Sequence, residues 1–118
     1  MELDAKSFYE SWPGAMNAMK GSPGGGEIGK AFSGFFQGLM KDGALNVKQK
    51  ELIALGVGVY ARCEPCIYSH VEKCLKAGAT PAEIMEAAGV AVMMGGGPVY
   101  TYTPVVAAAL EHFEKAGT

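Results

Sequence analysis

The run Asn46-Val47-Lys48-Gln49-Lys50-Glu51-Leu52-Ile53-Ala54-Leu55-Gly56-Val57-Gly58-Val59-Tyr60-Ala61 decides the fold class. Asn46 is an N-cap residue by type, and Gln49 three positions on completes a capping box, in which each side chain satisfies the other residue's backbone N–H. The helix it opens, residues 47–61, is charged in its first turn and apolar on nearly every face afterwards, the pattern of a buried central helix. Gly56 and Gly58 each cost such a helix about 1 kcal/mol relative to alanine. They are expected where another backbone packs close.

Downstream, Pro65 suits a first helical turn, where its missing N–H is no loss. That predicts a helix from the cysteines at 63 and 66 to about Ala77, stopped by Gly78. Thr80-Pro81-Ala82-Glu83 is a second capping box with proline at the first helical position. The helix it starts ends at Gly95-Gly96-Gly97, and a last helix runs from Pro98 to about Ala116 with a kink expected at Pro104. Upstream, Phe8, Trp12, Ala15, Met16 and Met19 make a helical stripe over residues 5–20, with Pro13 expected to kink or restart it. Gly21-Ser22-Pro23-Gly24-Gly25-Gly26 reads as a linker without regular structure. No Gly-Lys-Ser/Thr follows, so these glycines are no phosphate cradle. Ile28, Ala31, Phe32, Phe35, Phe36 and Leu39 place another helix over 27–40, ended by Asp42-Gly43. The expectation is an all-α, compact bundle of about six helices in one domain spanning residues 1–118.

At 118 residues the chain is 49% hydrophobic, more than so small a domain needs for its core, so some apolar surface is expected to meet partner subunits. A net charge of −2 without a basic stripe or arm argues against nucleic acid, and no basic tract suits an anionic membrane. The charged start, Met1-Glu2-Leu3-Asp4-Ala5-Lys6, has no signal-peptide character, and the longest apolar run, 52–61, is too short for a bilayer. A cytoplasmic protein is the expectation. Three cysteines do not suit a secreted disulfide scaffold, so Cys63-Glu64-Pro65-Cys66 reads as redox or metal chemistry.

Two thiols three residues apart at a helix start can meet as a small-loop disulfide or stay apart. The helix N-terminus favours the thiolate, the reactive species. His70 lies one turn beyond Cys66 on the same face, and an imidazole there could take the Cys66 proton. Cys66 would then attack a peroxide oxygen or a partner disulfide, and Cys63 would resolve the product as a Cys63–Cys66 disulfide. The plainer reading of His70 is a satisfied core histidine. Cys63, Cys66, His70 and Cys74 also form a metal-like string, but Cys63 and Cys74 are roughly 16 Å apart along one helix. One tetrahedral ion cannot take both, and no metal is expected. Cys74 reads as a small buried apolar residue.

Glu51, then Cys63-x-x-Cys66, then His70 resembles the glutamate, cysteine pair and histidine of the alkyl hydroperoxidase D-like branch of the carboxymuconolactone decarboxylase family. The similarity extends over residues 43–98, through Lys50-Glu51-Leu52-Ile53-Ala54-Leu55, Lys76-Ala77-Gly78-Ala79-Thr80 and Val92-Met93-Met94-Gly95-Gly96-Gly97-Pro98. It implies an all-α fold assembling into a homotrimer or homohexamer. It also implies a peroxidase cycle on a hydroperoxide substrate, recharged by a thiol or protein disulfide reductant, with no cofactor beyond the redox-active disulfide Cys63–Cys66. Carried over, Cys66 is the peroxidatic thiol, Cys63 the resolving thiol, His70 the relay base and Glu51 its partner. Some members have a second histidine just before the second cysteine; Pro65 stands there in this chain.

From spacing alone Glu51 is harder to place. It lies about 18 Å before Cys63 on a straight helix, and a chain reversal would leave an axial gap to His70 of about 8 Å, enough for two side chains and a water. The plainer reading is a charged residue in a solvated first turn beside Lys48 and Lys50. Two rival functions stand beside the peroxidase: a decarboxylase-type lyase with His70 as acid/base, and a non-enzymatic module whose assembly responds to the Cys63–Cys66 state. True decarboxylases of the family generally lack the cysteine pair, which argues against the first.

Overall fold

The computed structural model describes residues 3–116. Among them there are seven helices and no strand: α1 (Ala5–Lys20), α2 (Gly25–Leu39), α3 (Val47–Tyr60), α4 (Glu64–Lys76), α5 (Pro81–Gly95), α6 (Gly97–Tyr100) and α7 (Thr103–Lys115). Six are of thirteen residues or more, and α6 is a single turn. No described helix is long and apolar enough to cross a membrane.

Both capping boxes form as the residue types require. Asn46 exchanges bonds with Gln49, and Thr80 with Glu83. A Lys48–Glu83 ion pair at 2.8 Å then joins the first turns of α3 and α5. The buried residues of α3 are Glu51, Leu55, Gly58 and Val59, spaced as one helical stripe. They meet Ile67, Tyr68, Val71 and Cys74 of α4 on one side and Ile84, Ala88 and Ala91 of α5 on the other. Val105, Val106 and Ala109 of α7 close the core. α1 lies across α4 and α7: the Phe8 ring stacks on Tyr68 with centroids 4.7 Å apart, and the Tyr9 hydroxyl donates to the Tyr68 carbonyl.

Pro13 lies inside α1, which continues through it without restarting. Three expectations need correction. The 47–61 helix is not buried all round: Ile53, Val57 and Tyr60 are 54%, 62% and 53% exposed on the face away from α4. The glycine segment is not wholly irregular, since α2 begins at Gly25. Gly24 turns the chain at φ 80°, and a Cβ on Gly25 would collide with the Met19 carbonyl. The last predicted helix is divided into α6 and α7 instead of kinked, and Pro104, in the first turn of α7, has no N–H with which to continue the ladder from α6. Thr101 and Tyr102 form a turn there.

Candidate active site

α3 ends in a paired-bond reversal. Arg62 adopts a left-handed φ of 56°. Its N–H bonds the Val59 carbonyl and that of Cys63 bonds the Gly58 carbonyl, both at 3.0 Å. This is a Schellman closure, with arginine where glycine is the unstrained choice. The chain therefore passes directly into α4 with Cys63 as N-cap, its sulfur 3.3 Å from the Cys66 N–H that points at it. Cys63 and Cys66 are joined as a disulfide with Cα atoms 5.2 Å apart, and both are half-buried. Gly58 permits this approach: a Cβ there would stand 3.1 Å from the Cβ of Cys66. The close packing expected at Gly58 is thus found, and at Gly56 the neighbour is the Ala87 carbonyl of α5, 3.5 Å from where a Cβ would lie.

Because α4 folds back along α3, the second turns of the two helices face each other. Oε1 of Glu51 lies 2.7 Å from Nδ1 of His70. The gap thought to need a water is closed directly. The solvated-turn reading of Glu51 is also overturned, since the residue is only 4% exposed. A buried carboxylate demands a strong donor. A carboxylate only accepts, so Nδ1 carries the proton and the other ring nitrogen, Nε2, holds the imidazole's lone pair. His70 sits one turn after Cys66, and its side chain is 18% exposed.

Three residues that the sequence did not single out as site residues complete the surroundings. The Phe36 ring of α2 is 6.5 Å from the His70 ring, and Lys73 Nζ lies 4.6 Å from the Phe36 centroid, a cation–π contact. Lys50 fastens the end of α2 by donating to the carbonyls of Leu39 and Lys41 at 2.8 and 2.7 Å. Phe36 lay on the expected apolar stripe of α2, but no local pattern says which helix that stripe covers. Cys74 is fully buried, and burial, with Glu51 nearby, pushes its thiol up to about 12. No group of three or more metal-binding side chains is assembled among the described residues.

Residues 26–112 match the family described as the carboxymuconolactone decarboxylase family. The chain is similar, at 36% identity, to an uncharacterized protein of the cox locus of Paracoccus denitrificans, over 80% of this chain and 86% of that one. Among solved structures it is similar to the apo form of a carboxymuconolactone decarboxylase family protein from Legionella pneumophila, with a TM-score of 0.79 and 36% identity over 94% of this chain and 95% of that one. It is also similar to a Thermotoga maritima protein of the family described as having a possible part in antioxidative response, with a TM-score of 0.71 and 31% identity over 76% of this chain and 93% of that one. The all-helical fold, the length of the match and the identity agree: the chain belongs to the carboxymuconolactone decarboxylase family.

Proposed function

We propose that the protein is a disulfide-cycling thiol oxidoreductase of the alkyl hydroperoxidase D-like branch, reducing hydroperoxides in the cytoplasm at the expense of a thiol or protein dithiol. The observation that carries the reading is the placement of the Glu51–His70 pair one turn beyond a Cys63–Cys66 disulfide at the start of α4. The antioxidative description of the Thermotoga relative agrees with it.

In the reduced protein the Cys66 thiol gives its proton to Nε2 of His70, and the imidazolium so formed is held by the Glu51 carboxylate. The helix N-terminus stabilises the remaining thiolate. The thiolate attacks one peroxide oxygen; the O–O bond breaks, Cys66 becomes a sulfenic acid, and the alkoxide leaves with the proton from His70 as an alcohol. Cys63 then attacks the Cys66 sulfur. An S–S bond forms, the S–O bond breaks, and hydroxide leaves with the Cys63 proton as water. An external dithiol restores both thiols by exchange and is itself oxidised to a disulfide. Pro65 stands in the first turn between the two cysteines, so the relay in this chain runs through one histidine, His70.

The test is peroxide-dependent oxidation of a dithiol donor by the purified protein. Cys66→Ser should abolish it and His70→Ala should slow it by roughly 100-fold, the usual size of a lost general base. Full turnover in Cys66→Ser overturns the proposal. A lyase reading is favoured by one observation: the Glu51–His70 pair is complete without either sulfur. In that case a Cys63→Ala/Cys66→Ala double variant would keep turnover of a lactone acid, and loss of that turnover removes the reading.

A further inference from the structure

Cys66, His70 and Lys73 stand at positions i, i+4 and i+7 of α4 and therefore share one face, with Cys66 and Lys73 about 10 Å apart along the helix axis. All three are half-buried, on the margin between the core face of α4 and solvent. The first two belong to the thiol chemistry. Nothing in that chemistry calls for the third.

Lys73 is nevertheless drawn to the site. Its Nζ lies 4.6 Å from the centroid of the Phe36 ring, and that ring is 6.5 Å from the His70 imidazole. Its charge has no carboxylate beside it: among the described residues the ion pairs of α4 are His70–Glu51 and Lys76–Glu72. Lys50, by contrast, donates its ammonium to two backbone carbonyls. A ring face attracts a cation but leaves the N–H donors of the ammonium open to an anion.

We propose that Lys73 is the anion anchor of the site at His70, and that the preferred substrate is a fatty-acid-type hydroperoxide, an apolar chain ending in a carboxylate. The inference rests on the peroxidase reading and narrows it. The peroxide group meets Cys66 and His70, the chain crosses the Phe36 ring, and the carboxylate reaches the Lys73 ammonium. The three contacts follow one another along α4, so one extended molecule can make them together. An ammonium half-buried against a ring has lost part of its hydration, and its pairing with a carboxylate is stronger than at an open surface. The O–O cleavage is the one given above: Cys66 is oxidised, the alcohol leaves, and the carboxylate is unchanged.

The experiment is steady-state kinetics of the full chain on linoleic acid hydroperoxide, its methyl ester and tert-butyl hydroperoxide, with calorimetry of decanoate and decanol on the oxidised protein. The wild type should favour the acid over the ester by about tenfold in kcat/KM, chiefly through KM, and should bind decanoate more tightly than decanol. Lys73→Met, which keeps most of the stem over Phe36, should erase both preferences, and Lys73→Arg should retain them. A lysine that only tethers α2 to α4 would, once replaced, lower acid and ester alike and leave their ratio as it was. That result overturns the proposal, and so does a wild type that takes acid and ester equally. The two readings fail separately. Lys73-dependent binding of decanoate without turnover of any hydroperoxide would refute the peroxidase and leave the anion anchor standing. Turnover of tert-butyl hydroperoxide with no preference between acid and ester would refute the anchor alone.

Discussion

Oε1 of Glu51 and Nδ1 of His70 lie 2.7 Å apart in the second turns of two antiparallel helices, with Glu51 all but sealed from solvent. The contact fixes the imidazole's orientation and tautomer and puts a negative charge behind the ring. That arrangement suits a base that must hold a proton briefly and return it.

If Glu51 acts through His70, their losses must not add. Glu51→Gln keeps the shape and an accepting oxygen but removes the charge, and should slow peroxide-dependent thiol oxidation by about tenfold or more. In a His70→Ala background the same substitution should change the rate little, which is the signature of coupled residues in a double-mutant cycle. Stopped-flow measurement of all four proteins decides it. Losses that multiply would separate the two residues.

Cys74 should be silent. Burial first and the Glu51 carboxylate second hold its thiol up at about 12. The reduced native protein is therefore expected to alkylate at Cys63 and Cys66 near pH 8 and to show its third thiol only in urea. The shift also has a stability consequence. An unfolded Cys74 ionises near the ordinary 9.0, whereas the folded one keeps its proton up to about 12. Across that window the unfolded chain binds fewer protons, so this contribution to stability is complete below pH 9 and falls away as pH rises towards 12. Cys74→Ala should show a shallower alkaline decline in its urea midpoint than the wild type, whatever its stability at neutral pH.

Much of the fold was legible because its determinants are local. Asn46/Gln49 and Thr80/Glu83 announce their helices through residues three apart, and both boxes form. Pro65 at the start of α4 is equally local. The Glu51–His70 contact is not. It depends on the angle at which α4 returns along α3, set by the reversal at Arg62 and the missing side chain at Gly58. One signal was available: Glu51, Leu55, Gly58 and Val59 share a stripe, so a carboxylate heads the core-facing edge of α3 and must find a partner inside. The exposure of Ile53, Val57 and Tyr60 was illegible for the opposite reason. An apolar pattern says that a face wants cover, and does not say whether the cover comes from the same chain. The division at Thr101–Tyr102 turned on whether Pro104 bends a helix or ends one, a choice made by the packing on either side.

Arg62 is held in a left-handed conformation, which costs a residue with a Cβ roughly 1–2 kcal/mol. Its side chain is exposed. Arg62→Gly should therefore be neutral or stabilising by about 0.5 kcal/mol, after the greater unfolded-state freedom of glycine is deducted. Arg62→Val should be destabilising by about 1 kcal/mol, because a β-branched residue tolerates positive φ least. Urea midpoints with an unchanged slope give the comparison. A Val variant as stable as the Gly variant would show that the reversal is not the strained point of the α3–α4 connection.

Gly56 and Gly58, two residues apart on α3, should respond in opposite directions. At Gly56 a methyl group would find the Ala87 carbonyl at 3.5 Å, an ordinary contact, so Gly56→Ala should gain most of the helix propensity difference, about 0.5–1 kcal/mol. At Gly58 the first added carbon already stands 3.1 Å from the Cβ of Cys66, with that residue's backbone carbon at 3.6 Å. Gly58→Val has no room for its two further carbons and should lose about 1–3 kcal/mol to overpacking. The loss should fall on the redox site as well as on the fold, because the atoms displaced belong to the first turn of α4. Closure of the Cys63–Cys66 disulfide after a single peroxide turnover should slow in Gly58→Val and stay at the wild-type rate in Gly56→Ala. Equal closure rates in the two variants would mean that the α3–α4 approach serves packing alone and does not set the position of Cys66.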